Sequence, residues 1–196
     1  MTIAFLFILL FALMLIGVPV AVSLGTSTVL TMIFFTDIDI ATIPQLIFDG
    51  INKFSLMAIP MFILAGNLLS KGGSARRIID FAKSMVGHLP GGLPMSAIFA
   101  CIIFAAVSGS SPATVVAIGS IMFAAIKEAG YPKEYAVGGI TTAGSLGILI
   151  PPSVVMIVYG VTAEVSIGKL FMAGVVPGLM LGAFMLVQTY VGAKKL

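Results

Sequence analysis

The chain has 196 residues, 60% of them hydrophobic and 9% charged, with a formal net charge of +3 and a mean hydropathy of +1.22. Soluble domains carry about 25% charged residues, so this composition excludes a water-soluble globular protein. It reads instead as an all-α integral membrane protein with room for about four to six spans of about 20 residues each. The small net charge gives no reason to expect a nucleic-acid surface. Cys101, the one cysteine, lies in an apolar run, which excludes a disulfide or cysteine-based metal framework.

The N-terminal run has no basic n-region, its first basic residue being Lys53, and it reads as a retained membrane segment. Residues 3–35 carry no charge and would span about 50 Å as one helix, more than a bilayer core of about 30 Å requires. Gly17-Val18-Pro19 sits midway, so one kinked helix and two short segments both fit. Acidic Asp37, Asp39 and Asp49 follow. Residues 44–55 set Gln45, Asp49 and Asn52 against Leu46, Ile47, Ile51 and Phe54, the pattern of a short interfacial helix. Residues 56–69 form a further apolar segment holding Pro60, Gly66 and Asn67.

Residues 71–88 predict a basic amphipathic helix, with Ser74 as N-cap and Arg76, Arg77, Asp80 and Lys83 opposite Ile78, Ala82 and Met85. That helix reads as a surface element on an anionic leaflet, and His88 at its end reads as a surface residue. Residues 135–163 are again uncharged. Residues 170–193 space Gly174, Gly178 and Gly182 four apart, a helix-packing face with no chemistry assigned. Lys194 and Lys195 follow. Under the positive-inside rule the basic helix and the terminal lysines are cytoplasmic and residues 37–49 face outward. Residues 56–70 and 170–193 then both run inward and 135–163 runs outward, so 89–126 must enter and leave by the cytoplasmic face.

That uncharged stretch contains Ser108-Gly109-Ser110-Ser111-Pro112 in its middle. The arms read from the sequence, 95–107 and 113–126, are each about 20 Å long, too short to cross. A re-entrant hairpin follows, with Gly109 turning the chain, Ser111 capping the returning helix and Pro112 at its first position. Non-helical backbone at that depth survives only inside protein or beside a wet cavity. A second break lies where Gly144, Gly147 and Pro151-Pro152 interrupt a segment of spanning length. Prolines free the carbonyls four residues upstream, here around residues 147–150. Two broken elements meeting at mid-membrane mark a secondary transporter's binding site. Half-helix C-termini and loose carbonyls suit a monovalent cation, and half-helix N-termini suit a carboxylate. No carboxylate lies within any span, which disfavours a proton relay and favours sodium.

AVSGSSPATVVAIGSIM and GSLGILIPPSVVMIVYG, together with LIGVPVAVSLG, MAIPMFILAGNLL and GGLPMS in the same order, resemble the large permease subunit of TRAP (tripartite ATP-independent periplasmic) transporters, the DctM-like family. The resemblance covers essentially the whole chain. It implies one inverted-repeat half of an elevator-type symporter in a bacterial inner membrane. It also implies sodium as coupling ion with no other cofactor, a small membrane subunit, and a periplasmic solute-binding protein delivering a C4-dicarboxylate, sialic acid or related carboxylate. By that likeness Ser108, Ser110, Gly147, Ile150 and Pro152 would surround one sodium ion, with Gly109, Ser111, Thr114 and Gly144 beside it.

The implied organisation is scaffold helices with an interfacial arm over 1–70, a cytoplasmic amphipathic helix over 71–94 and the re-entrant hairpin over 95–130. A discontinuous helix over 134–163 and a closing helix over 165–196 complete it. Subunits of the family are about twice this length, so the other half of the site would belong to the remainder of a longer chain or to a separate polypeptide. An ion-conducting or scaffolding membrane protein is the alternative. Enzymatic use of Ser108, Ser110 or Ser111 is not expected, because no buried base accompanies them.

Overall fold

The computed structural model describes residues 1–36, 39 and 41–194, and helices are the only regular structure among them. Asp37 of the acidic segment and Lys195 of the terminal pair lie outside the described residues. Two compact units are present, Met1–Lys53 and Phe54–Leu196.

In the first unit the apolar run is two helices, α1 (Thr2–Leu15) and α2 (Val20–Phe35). Gly17 adopts a left-handed φ of 91° and Pro19 precedes the first residue of α2. Glycine tolerates that conformation and proline cannot continue the helix, so the chain reverses between the two. The ring of Phe5 near the start of α1 lies 5.0 Å from that of Phe35 at the end of α2. A short amphipathic helix, α3 (Thr42–Ile51), completes the unit.

The second unit opens with a 3₁₀ turn, Phe54–Met57, running into α4 (Ala58–Lys71). Pro60 falls in the first turn of α4, where a missing N–H costs nothing. Residues 54–70, grouped above with the N-terminal helices, thus pack with the hairpin. Next comes α5 (Ser74–Val86), preceded by Gly73 with φ 77°. Because that glycine already occupies the capping position, Ser74 is the first helical residue and not the N-cap. Ala75, Ile79 and Ala82 are buried in the common core, and Met85 stays exposed. The apolar stripe of α5 therefore covers protein, specifically α6 (Gly92–Ser108).

α6 is the centre of this unit. It contacts α4, α5, α7 (Ser111–Glu128), α8 (Lys133–Gly144), α9 (Leu146–Leu149) and α11 (Ile167–Ala193). Small residues at Ala97, Ala100, Cys101 and Ala105, all buried, let those neighbours approach. The remaining element, α10 (Val154–Thr162), is bent 41° from the α8–α9 segment. Pro177 lies inside α11, while Met172, Val176, Met180 and Phe184 on that helix are exposed.

The Tyr135 hydroxyl donates to the Thr189 carbonyl at 2.9 Å. An added Cβ at Gly192 would lie 3.3 Å from that hydroxyl, so glycine there keeps space beside the ring. Tyr135→Phe removes the bond alone and is expected to cost about 1 kcal/mol. That corresponds to a drop of about 2 °C in thermal unfolding in detergent.

Candidate functional site

The site begins where α6 ends. Gly109 follows its last residue, Ser108, with φ 62°, and Ser110 is extended at φ −134° and ψ 120° before α7 starts at Ser111. Two residues suffice for the reversal because the first takes a left-handed conformation that side chains resist. Ser110, not Ser111, is the N-cap: its hydroxyl accepts from the Ala113 N–H at 3.4 Å. Pro112 accordingly stands second in the helix, where it still sacrifices no helical bond.

The arms are longer than the sequence reading allowed, 17 residues in α6 and 18 in α7. Pro94 sits in the first turn of α6, so proline begins that arm earlier instead of delaying it. By length and composition Ser111–Glu128 is long and apolar enough to cross a membrane. Arm length therefore no longer separates a re-entrant hairpin from a crossing one. The direct reversal at Gly109–Ser110 and the enclosure of the tip are what set this element apart.

The second break comes to the same place. Ile150 leaves α9 in an extended conformation, Pro151 and Pro152 follow, and Ser153 caps α10 by accepting from the Met156 N–H at 3.4 Å. The prolines have no N–H, so the carbonyls of Gly147 and Ile148 lose their helical donors. The Val154 N–H donates to the Gly109 carbonyl at 3.1 Å, joining the break to the hairpin tip. A Cβ on Gly109 would lie 2.5 Å from the Pro152 carbonyl oxygen. On Gly147 it would lie 2.8 Å from the Ser111 nitrogen and 2.9 Å from the Ser110 carbonyl carbon. On Gly144 it would run into Val115, with the Ser111 oxygen 3.6 Å away. Glycine at 109 and 147 lets backbone meet backbone, and at 144 it leaves room for the Val115 side chain.

Ser108 and Thr114 are fully buried, with their hydroxyls 3.1 Å apart. Ser108, Gly109, Ser110, Ser111, Thr114, Gly144, Gly147, Ile150 and Pro152 therefore form one cluster. Gly174, Gly178 and Gly182 are buried on α11. The first two abut the same break, where added Cβ atoms would lie 2.6 Å from the Leu149 oxygen and 2.8 Å from Ile150 Cγ1. Gly182 instead faces Ile102 of α6, at 2.9 Å by the same measure.

Two residues of this cluster escaped the sequence reading. Ser153 is fully buried at the tip and caps α10. Gly66 of α4 is buried, and a Cβ there would lie 3.3 Å from that of Ser108. Ser153 carries a local signal, a cap residue directly after Pro-Pro; Gly66 carries none, since its partner lies 42 positions away in the chain.

The arrangement gathers two helix C-termini, those of α6 and α9, and two serine-capped helix N-termini, those of α7 and α10. The former offer partial negative charge and the latter partial positive charge.

Residues 7–196 match the family described as "Tripartite ATP-independent periplasmic transporter, DctM component". The chain is 53% identical over 202 residues to the C4-dicarboxylate TRAP transporter large permease protein DctM of Rhodobacter capsulatus, covering 95% of this chain and 46% of that protein. It is 50% identical to the protein of the same description from Vibrio cholerae, covering 99% of this chain and 43% of the relative. The isethionate TRAP transporter permease protein DctMQ of Oleidesulfovibrio alaskensis is 45% identical over 94% of this chain and 29% of its own length. The chain thus belongs to the DctM component family of TRAP transporters. It spans about half the length of the large permease proteins it matches.

Proposed function

We propose that this chain forms one repeat of a TRAP large permease, an elevator-type symporter that imports an organic anion with sodium across a bacterial inner membrane. A small membrane subunit and a periplasmic binding protein would serve as its partners, and a second repeat would complete the site. The hairpin of α6 and α7 would be re-entrant, which accords with the charge distribution of the flanking segments.

One observation carries the reading. Two interrupted helices, remote in sequence, are joined at their interruptions by the bond from Val154 to Gly109 and by Gly147 under Ser110 and Ser111. Polar backbone freed inside apolar protein is costly unless something uses it. Transporters use such breaks to hold coupling ions at helix C-termini and anionic substrate groups at helix N-termini. Sodium would lie among Ser108, Ser110 and the carbonyls of Gly147, Ile150 and Pro152. The substrate carboxylate would lie toward the α7 and α10 N-termini, near Gly109 and Ser111. Names of the relatives favour a C4-dicarboxylate or another small organic acid as cargo.

The test is uptake by the complete permease with its partner subunit and binding protein in proteoliposomes. An imposed inward sodium gradient should drive accumulation of labelled dicarboxylate, and Ser110→Ala should raise the half-saturating sodium concentration about fivefold through loss of the cap. Equal uptake with choline replacing sodium would reject sodium coupling. Sodium flux without bound substrate would instead mark an ion-conducting protein.

A further inference from the structure

The buried hydroxyls at the tip have one consistent arrangement of protons. Thr114 Oγ1 lies 2.8 Å from the Ser110 carbonyl oxygen and 3.1 Å from Ser108 Oγ. Ser108 Oγ lies 3.5 Å from both the Ser110 oxygen and the Ser110 nitrogen. Each hydroxyl has a single proton. Were Thr114 to give its proton to Ser108, the 2.8 Å contact would set two acceptor oxygens against one another. Ser108 would then have to reach the Ser110 oxygen at 3.5 Å, the far limit of a hydrogen bond. The other arrangement satisfies both short contacts. Ser108 donates to Thr114, and Thr114 donates to the Ser110 carbonyl, which also accepts from the Thr114 N–H at 3.1 Å.

We propose that Thr114 is a positioning residue that ties down the Ser108 proton, so that Ser108 Oγ, which accepts from the Ser110 N–H, turns its free lone pair and no proton toward a cation at the hairpin tip. The proposal rests on the sodium reading above. It assigns Thr114 no direct contact with the ion. Valine at 114 keeps the shape of threonine and leaves the Ser110 carbonyl its bond from the main-chain N–H. Having lost its acceptor, the Ser108 proton then swings to the Ser110 oxygen, and the lone pairs rotate with it. Serine at 114 restores the acceptor.

The experiment is a sodium titration of dicarboxylate uptake by the complete permease in proteoliposomes at saturating substrate. Thr114→Val is expected to raise the half-saturating sodium about tenfold, the effect of one lost charge-orienting hydrogen bond. The maximal rate should stay within about twofold, and Thr114→Ser should bring the half-saturating value back to within about twofold of the parent. A general packing defect would lower the maximal rate and would not be repaired by serine, which lacks the methyl. If Thr114→Val does not reach the membrane, the smaller Thr114→Ala is titrated against Thr114→Ser in the same way. Equal shifts in the valine and serine variants, or an unchanged half-saturating value with uptake still sodium-driven, would overturn the positioning role and leave the sodium reading standing. Sodium-independent uptake by the parent would remove both.

Discussion

Under the sodium-coupled function proposed above, Gly109→Ala is expected to reduce uptake by the complete permease about 100-fold at matched membrane levels. Three penalties fall on this residue together. Alanine at φ 62° costs about 1–2 kcal/mol in the left-handed region. Its Cβ would lie 2.5 Å from the Pro152 carbonyl oxygen, and neither group is the movable end of a side chain. Tip and break must separate, which strains the bond from the Val154 N–H to the Gly109 carbonyl, 3.1 Å long here. An unsatisfied buried N–H costs about 1–3 kcal/mol. These two terms alone sum to about 2–5 kcal/mol, which corresponds to about one and a half to three and a half decades of affinity if borne by the site. Gly130 provides the control, because its φ is 91° and a Cβ there meets nothing within 4 Å. Gly130→Ala pays only the conformational penalty and should retain uptake within about threefold. Equal losses in the two variants would mean that the close approach of tip and break has no part in transport.

The same comparison shows why the two breaks were legible in the sequence. Ser-Gly-Ser-Ser-Pro and Pro-Pro are local instructions, acting through φ preferences and missing donors that need no knowledge of the fold. Boundaries were less legible because proline has two meanings. Pro94 read as lying outside the first arm, yet it sits in the first turn of α6, where proline is well accommodated; Pro112, read at the first helical position, stands second. The capping residue slipped by one for a related reason: Ser110 and Ser111 are equally good caps in composition, and the left-handed Gly109 decides between them. Gly73 displaced Ser74 in the same fashion.

Which face of a helix meets protein was legible on α11, where the glycines read as a packing face are buried, but not on α5. The apolar stripe of α5 satisfies the pattern of a membrane-surface helix, but that pattern records only that something apolar lies opposite. Here it is α6, through Ala75, Ile79 and Ala82. Gly66 beside Ser108 had no signal, since a close approach between distant segments leaves nothing in the sequence beyond a small residue. The apposition of tip and break belongs to the same class of fact: each break could be read, but their hydrogen bond could not.

The glycines of α11 should separate into three distinct responses to alanine. Each substitution gains up to about 1 kcal/mol of helix propensity, so the sign of the outcome depends on what the new methyl meets. At Gly182 it meets Ile102 Cδ1 at 2.9 Å, the free end of a side chain that can rotate away; Gly182→Ala should be neutral or slightly stabilising. At Gly178 the contact is Ile150 Cγ1 at 2.8 Å, close to the branch point and attached to an extended residue of the break. Overpacking of this kind costs about 1–3 kcal/mol, and in an Ile150→Ala background, where the offending atom is gone, Gly178→Ala should add little further loss of thermal stability. At Gly174 the methyl meets the Leu149 carbonyl oxygen at 2.6 Å as well as Met156 Cε at 2.5 Å. Shortening Met156 cannot move a carbonyl, so Gly174→Ala should stay destabilised in a Met156→Ala background. The ordering is read from thermal unfolding in detergent, with uptake following it because α11 backs the break. Indistinguishable unfolding temperatures for Gly174→Ala and Gly182→Ala would mean that α11 does not press on the broken helix.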